Sequence, residues 1–342
     1  MSLVTAATGF IERTRLPDWM TSAGVSYLVE RTRQKLARAD AITEQSFAAG
    51  MGAHPVAYHT DDANRQHYEL PEEFFGIVLG PHRKYSSCLY KVATDTLEQA
   101  ETNALAETCA HAGLADGQNI LELGCGWGSL SLWMAGHYPN ARITSVSNSN
   151  SQREYIMKTA RERGYQNLNV VTADMNVFAT DEKFDRVVSV EMFEHMSNWR
   201  ELLGRIRGWL KPDGRLFIHV FTHRSTPYRF ELDDDEDWIA QHFFTGGIMP
   251  SHGLLRQFPD LFAMEQDWFW NGRHYQRTAY DWLARQDANK AAVMQVMRRV
   301  YGADAALWFR RWRLFFLATA GLFGHHGGNE WGVGHYLLRP VA

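Results

Sequence analysis

Residues 120–135 read ILELGCGWGSLSLWMA. An apolar run that passes through Gly124, Gly126 and Gly128 into a helical pattern is a buried strand feeding a helix through a tight loop. Side chains are missing where the chain must turn sharply and where a ligand can approach backbone N–H groups.

Dinucleotide sites space these glycines as G-x-G-x-x-G, whereas here the spacing is G-x-G-x-G with Glu122 just ahead. A carboxylate so close repels a pyrophosphate but holds an ammonium, such as that of S-adenosylmethionine, directly or through water. A structural turn beside a surface glutamate is the plainer alternative.

Working outward, the chain from residue 101 alternates strand-like NILELG, RITSVS, LNVVTAD, FDRVVSVEM and GRLFIHVFT with helical SLSLWMAGHY, SQREYIMKTARERG and WRELLGRIRGWL. Such alternation implies right-handed crossovers and a parallel sheet covered on both faces, a doubly wound α/β core. After Thr222 it stops for about forty residues of acidic and aromatic sequence, longer than a plain connection, so an inserted lid is expected at about 223–261. Strand-like FAMEQDWFW, a helical region from about Thr278 and a last strand GHYLLRP complete the sheet. Residues 1–100 form the expected N-terminal helical cap and 101–342 the core, and the amphipathic first fifty-five residues read as solvated or subunit-contacting, which allows a homodimer.

Ligands of doubly wound sheets bind outside the carboxyl ends of the strands. After the second strand, Ser147, Asn148 and Gln152 can hydrogen-bond a ribose or the methionine part; after the third, Asp174 can accept from an adenine amino group while Met175 packs on the ring. After the fourth, VVSVEMFEHM brings Glu191, Glu194 and His195 to the same end. Carboxylates can hold a cationic amine while an imidazole, with an ordinary pKa of about 6.5, accepts its proton. Turn chemistry, a helix cap and a packed histidine are the structural alternatives.

The 342 residues are 45% hydrophobic and 22% charged with formal net charge -4, so no general pull toward nucleic acid or an anionic membrane is expected. The three cysteines lack a C-x-x-C pair, no metal is expected, and charges come too early for a secretory segment, which points to a reducing cytoplasm. LFFLATAGLFG is too short to span a bilayer and reads as a buried helix. With 12 Trp, 13 Tyr and 19 Phe crowded late in the chain, Trp238, Phe243, Phe244, Trp268 and Trp331 can wall a cleft for a cation, although each alone suits a core. The acidic run Asp233–Asp237 is either solvated or an attractive field for a cationic substrate.

HYELPEEFFGIVLGPHRKYSSCLYK, LELGCGWGSL, EMFEHM, FFTGGIMPS and NGRHYQRTAYDWL occur in one order along the chain. Together they resemble the plant coclaurine N-methyltransferase group within the superfamily that includes cyclopropane fatty acid synthases. The resemblance implies a class I methyltransferase sheet, mostly parallel with one antiparallel strand. It also implies S-adenosylmethionine as cofactor, yielding S-adenosylhomocysteine, and a small aromatic or alkaloid-like amine as substrate, with methylation of unsaturated acyl lipids as the alternative. By that resemblance Glu191, Glu194 and His195 hold and deprotonate the amine. Tyr85 and Ser86 contact the carboxylate end of the cofactor, joining Glu122, Gly124 and Gly126, while His219, Phe244, Tyr275 and Trp331 contact substrate. Cyclopropane synthases carry Y-S-C, whose cysteine helps hold bicarbonate; here Tyr85-Ser86-Ser87 intervenes and Cys88 falls one place later. Phe221 replaces their isoleucine after His219, and Phe244-Thr245-Gly246-Gly247 replaces F-P-G-G. These departures side with amine methylation.

Overall fold

The computed structural model describes residues 14, 16–38, 42–58, 70–230, 243 and 246–341. Five parallel strands are laid down first: β1 (Asn119–Leu123), β2 (Arg142–Ser147), β3 (Leu168–Thr172), β4 (Phe184–Val190) and β5 (Leu210–His223). A two-stranded ribbon, β6 (Tyr228–Arg229) with β7 (Ile248–Met249), occupies the described part of the expected lid. Then β8 (Phe262–Asn271) and β9 (Trp331–Pro340) close a seven-stranded sheet of order β3-β2-β1-β4-β5-β9-β8, with β9 antiparallel to both neighbours. This is the expected doubly wound, mostly parallel α/β sheet with one antiparallel strand.

Period-2 alternation sorts the core into two faces. Leu121, Leu123, Leu216, Ile218 and Val220 pack toward Trp199, Leu202 and Ile206 of helix Trp199–Trp209. Ile120, Ile143, Val188 and Phe217 face the other way, into a cluster shared by helices Leu97–His111, Ser129–His137 and Asn150–Glu162. The helices start where the sequence offers oxygen caps: Thr96 forms a reciprocal capping box with Gln99, Ser149 accepts from Gln152 N–H, and Asn198 accepts from Glu201 N–H.

The helical region of the last third begins earlier than the periodicity indicates and is three helices, Arg273–Ala288, Lys290–Tyr301 and Ala305–Gly324. Gly302, at φ 54°, breaks the pattern between the last two. The apolar stretch expected to be buried lies inside Ala305–Gly324, which packs against Asp18–Leu36; Arg313 ties the layer together by bonding both Asp18 and Asp287. Likewise β9 starts at Trp331, before the expected start at Gly334. In place, a Cβ on Gly332 would strike the Phe269 ring of β8, so the glycine makes room for its neighbour. Among the described residues no helix is long and apolar enough to cross a membrane.

Candidate active site

The strand order reverses between β1 and β4, and the crevice there is where the loops after β1, β2, β3 and β4 converge. Gly124 is left-handed at φ 79°, and a Cβ on it would come within 2.7 Å of Met192 Cβ, so its bareness lets the β1 and β4 loops touch. Gly126, at φ 50°, would project a Cβ into open space instead. That space is the cleft. Gly124 and Cys125 N–H both donate to Val146 O at 3.0 Å, so this part of the loop is pinned to β2 and does not aim its donors at a ligand.

Two cavities meet at Gly124, Gly126 and Glu191. The first is lined by Ser147, Asn148, Gln152, Asp174, Met175 and His195. Ser147 Oγ donates to Gln152 Oε1 at 2.7 Å, which orients the amide and leaves its buried Nε2 without a protein partner. An unspent donor facing a cavity suits a ligand acceptor. The second is lined by Lys84, Tyr85, Ser86, Glu122 and Ser129, whose buried Oγ also lacks a partner. Glu122 is no surface residue: it is buried, takes hydrogen bonds from Ser131 and from Ser145 (2.8 Å), and burial pushes its pKa up to about 7. These two cavities bring together all ten residues assigned to the cofactor from sequence. Orphaned donors and an open glycine cradle fit S-adenosylmethionine.

Glu191 follows β4 with a left-handed backbone, φ 46°, rare for a side chain of its size. That turn swings its carboxylate among three separate segments. Tyr275 Oη donates to Oε2 at 2.8 Å, His219 Nε2 lies 3.3 Å from Oε1, and Ser87 N–H points at Oε1 from 3.5 Å. Burial raises the Glu191 pKa to about 7, against the opposing pull of the Lys84 charge, Tyr275 and Ser87. Glu194 sits in the 3-10 turn Phe193–His195, is fully buried with Oε2 unpartnered, and is pushed well above the carboxylate range by burial and by Glu191. Two carboxylates so placed cannot both ionise easily.

The substrate residues named from sequence divide. Tyr275 touches Glu191. His219 is fully buried behind Glu191 and lines neither cavity. Trp331 is also fully buried, with Nε1 donating to Tyr228 Oη at 3.3 Å. Phe244, Trp238 and the acidic run lie outside the described residues. Phe243 stacks on Phe315 with ring centroids 4.4 Å apart, and Trp268 stacks on His111 at 3.8 Å. The described members of the expected aromatic wall are thus dispersed, Phe243 and Trp331 fully buried and Trp268 half-buried against His111. Cys88 is buried, its Sγ 3.7 Å from Ser86 O, and burial pushes its thiol far up.

Sequence reasoning passed over Lys84. Its ammonium is fully buried and donates to Ser86 Oγ and, at 2.7 Å, to Ser87 O, holding the strip that carries Tyr85 and Ser86. Burial lowers its pKa. The segment PHRKYSSC reads as exposed basic sequence, and nothing local marks the lysine as interior.

The family model described as "Mycolic acid cyclopropane synthetase" matches residues 57–327. The (S)-coclaurine N-methyltransferase of Thalictrum flavum subsp. glaucum is 35% identical over 289 residues, covering 83% of this chain and 80% of that one. The cyclopropane-fatty-acyl-phospholipid synthase of Escherichia coli (strain K12) is 31% identical but covers 65% of this chain and 55% of that one. Among solved structures, coclaurine N-methyltransferase bound to N-methylheliamine and S-adenosylhomocysteine superposes with a TM-score of 0.95 at 32% identity, covering 99% of this chain and 100% of that one. A cyclopropane synthase from Mycobacterium tuberculosis, 24% identical, shares the fold with a TM-score of 0.70, covering 82% of this chain and 98% of that one.

Proposed function

The chain belongs to the mycolic acid cyclopropane synthetase family and is an S-adenosylmethionine-dependent methyltransferase; from that premise we propose that it methylates the nitrogen of a small aromatic or alkaloid-like amine of the tetrahydroisoquinoline type. The observation that carries this reading is the buried carboxylate pair Glu191–Glu194 opening, through Glu191 and His195, onto the cavity where the cofactor residues gather. The relatives named for coclaurine, pavine and tetrahydroprotoberberine as acceptors support it.

Tyr85, Ser86, Glu122, Gly124 and Gly126 would hold the methionine end of S-adenosylmethionine, Ser147, Asn148 and Gln152 its ribose or methionine part, and Asp174 and Met175 its adenine; when bound, the group would supply an electrophilic methyl. An ammonium has no lone pair, so the amine must lose a proton before it can attack. Glu191, with its pKa near 7 and Tyr275 fixing its second oxygen, is the first acceptor. This moves the step from His195, expected from sequence to take the proton, to the carboxylate that has a buried partner behind it. His195, which lines the first cavity, flanks the cation, while Glu194, buried outside both linings, acts through Glu191. Positioning of the amine against the bound cofactor can contribute up to about 7–11 kcal/mol.

Methylation of unsaturated lipids is the competing reaction, and Cys88, buried against its own strip, does not support a bicarbonate site there. Three buried, unpaired cysteines are consistent with a cytoplasmic protein. The test is incubation of purified protein with methyl-labelled S-adenosylmethionine and either a panel of tetrahydroisoquinolines and arylalkylamines or anionic phospholipid vesicles. Label in the amines alone is expected; label in lipid alone would overturn the assignment.

A further inference from the structure

A file of side chains crosses the sheet at right angles to its strands. His219 in β5 is the register partner of His335 in β9, His335 is that of Trp268 in β8, and Val190, just before Glu191, is that of His219. Directly opposed residues share a face, so neighbouring strands deliver these groups as one row. His111, the last residue of helix Leu97–His111, settles on the row with its ring stacked on Trp268.

The polar atoms connect without a break. His219 Nε2 lies 3.3 Å from Glu191 Oε1, His335 Nε2 is 2.7 Å from His219 Nδ1, His111 Nδ1 is 2.9 Å from His335 Nδ1, and His111 Nε2 is 3.4 Å from Glu107 Oε1. Side-chain exposure rises outward, from 0% at His219 to 12% at His111 and 33% at Glu107. Lys91 Nζ sits 3.3 Å from the other Glu107 oxygen, at the surface. Aliphatic residues would fill this part of the core without the desolvation penalty of buried imidazoles, which leaves the continuity of the chain unexplained by packing.

We propose that His219, His335, His111 and Glu107 form a relay that carries the amine's proton from Glu191 to the protein surface. The inference rests on the amine-methylating reading above. Four gaps separate the five groups, and four protons fill them when Glu191 is protonated and the rings are neutral. In one outward shift the Glu191 O–H bond breaks as His219 Nε2–H forms. His219 Nδ1 gives its proton to His335 Nε2, His335 Nδ1 to His111 Nδ1, and His111 Nε2 to Glu107, which releases it to water. Each ring ends neutral in its other tautomer. After the product leaves, Glu107 takes a proton back from water, the reverse shift restores the tautomers and re-protonates Glu191, and Glu191 discharges through the open cleft; the relay thus holds the proton away from Glu191 only while the cleft is occupied, and the net yield is one proton per methyl transferred. Burial pushes His219 and His335 well below the ordinary histidine pKa, which keeps both rings neutral and suited to tautomer exchange.

The test compares wild type with His111→Gln and His335→Gln in single turnovers on two amines: a basic alkylamine that arrives protonated, and a weakly basic arylamine that arrives neutral and sheds its proton only after bond formation. Glutamine keeps a hydrogen-bonding side chain but cannot pass a proton through. The alkylamine rate is expected to fall about tenfold or more in both variants while the arylamine rate holds within about twofold, since a lost proton-transfer route affects only the acceptor that must be deprotonated. Free imidazole should restore the alkylamine rate of His111→Gly. Should His335→Gln fail to fold, His111→Gln at the helix end decides. Equal losses on both amines, or no loss on either, would overturn the relay alone; a wild-type protein active on neither amine would overturn the amine reading and the relay with it.

Discussion

Glu122 and Glu191 line the same cavity, and burial pushes both to a pKa of about 7. Their surroundings differ in kind. Glu122 accepts from two neutral hydroxyls, those of Ser131 and Ser145. Glu191 is held by a tyrosine, a backbone N–H and a histidine, lies in the field of Lys84, and is joined through His219 to a path that ends at the surface. An equal rise in proton affinity therefore says little about role. What differs between the two carboxylates is the connectivity behind them, a pair of hydroxyls for one and a file of imidazoles for the other.

Removing either carboxylate sharpens this contrast. Glu191→Gln keeps the shape and removes the acceptor, so kcat on a basic amine should fall about 10²–10⁴-fold, with cofactor affinity by calorimetry nearly unchanged. An equal collapse of cofactor binding would erase the distinction. Glu122→Gln acts on stability. The wild-type carboxyl is neutral in the fold up to about pH 7 but ionises in the unfolded chain from its ordinary 4.5, so the folded state binds more protons in that window. Stability present below pH 4.5 is lost as pH rises to about 7, and Glu122→Gln should be more stable than wild type above pH 7 by about 3 kcal/mol, read from denaturant midpoints across pH. Gly126→Val should weaken cofactor binding by at least about tenfold, or 1.4 kcal/mol, because its side chain enters the open cleft, and it should also lower Tm through the left-handed backbone. The smallest effect belongs to Cys88→Ser, which should change kcat on amines less than about threefold, under ~0.7 kcal/mol; a large loss would revive a catalytic cysteine.

The parts that the sequence made legible are those whose cause is local. The five parallel strands stand out because each is a short apolar run ended by turn residues, and the loop around Gly124 and Gly126 because glycine is needed at those backbone angles. Glu191, Glu194 and His195 share one short run, so no distant contact was required to notice them. His111 and His335 gave no such signal. Each is a lone histidine in an ordinary element, and only the register of β5 against β9, with a helix end laid across it, brings them to His219. Lys84 was hidden for the same reason, since burial of a lysine is decided by what packs over it. Aromatic crowding misled in the opposite direction: composition cannot distinguish a ring facing a cleft from one already covered, as Trp331 and Phe243 are.

The backbone of Glu191 supplies a practical handle. Alanine and glycine at this position would remove the same carboxylate, yet alanine keeps a Cβ in a conformation that costs L-residues roughly 1–2 kcal/mol and glycine does not. The glycine variant should therefore melt later than the alanine variant while being equally silent. A silenced enzyme that is not also weakened is the form in which donor and acceptor can be captured side by side, a stalled snapshot of the encounter just before the methyl group moves.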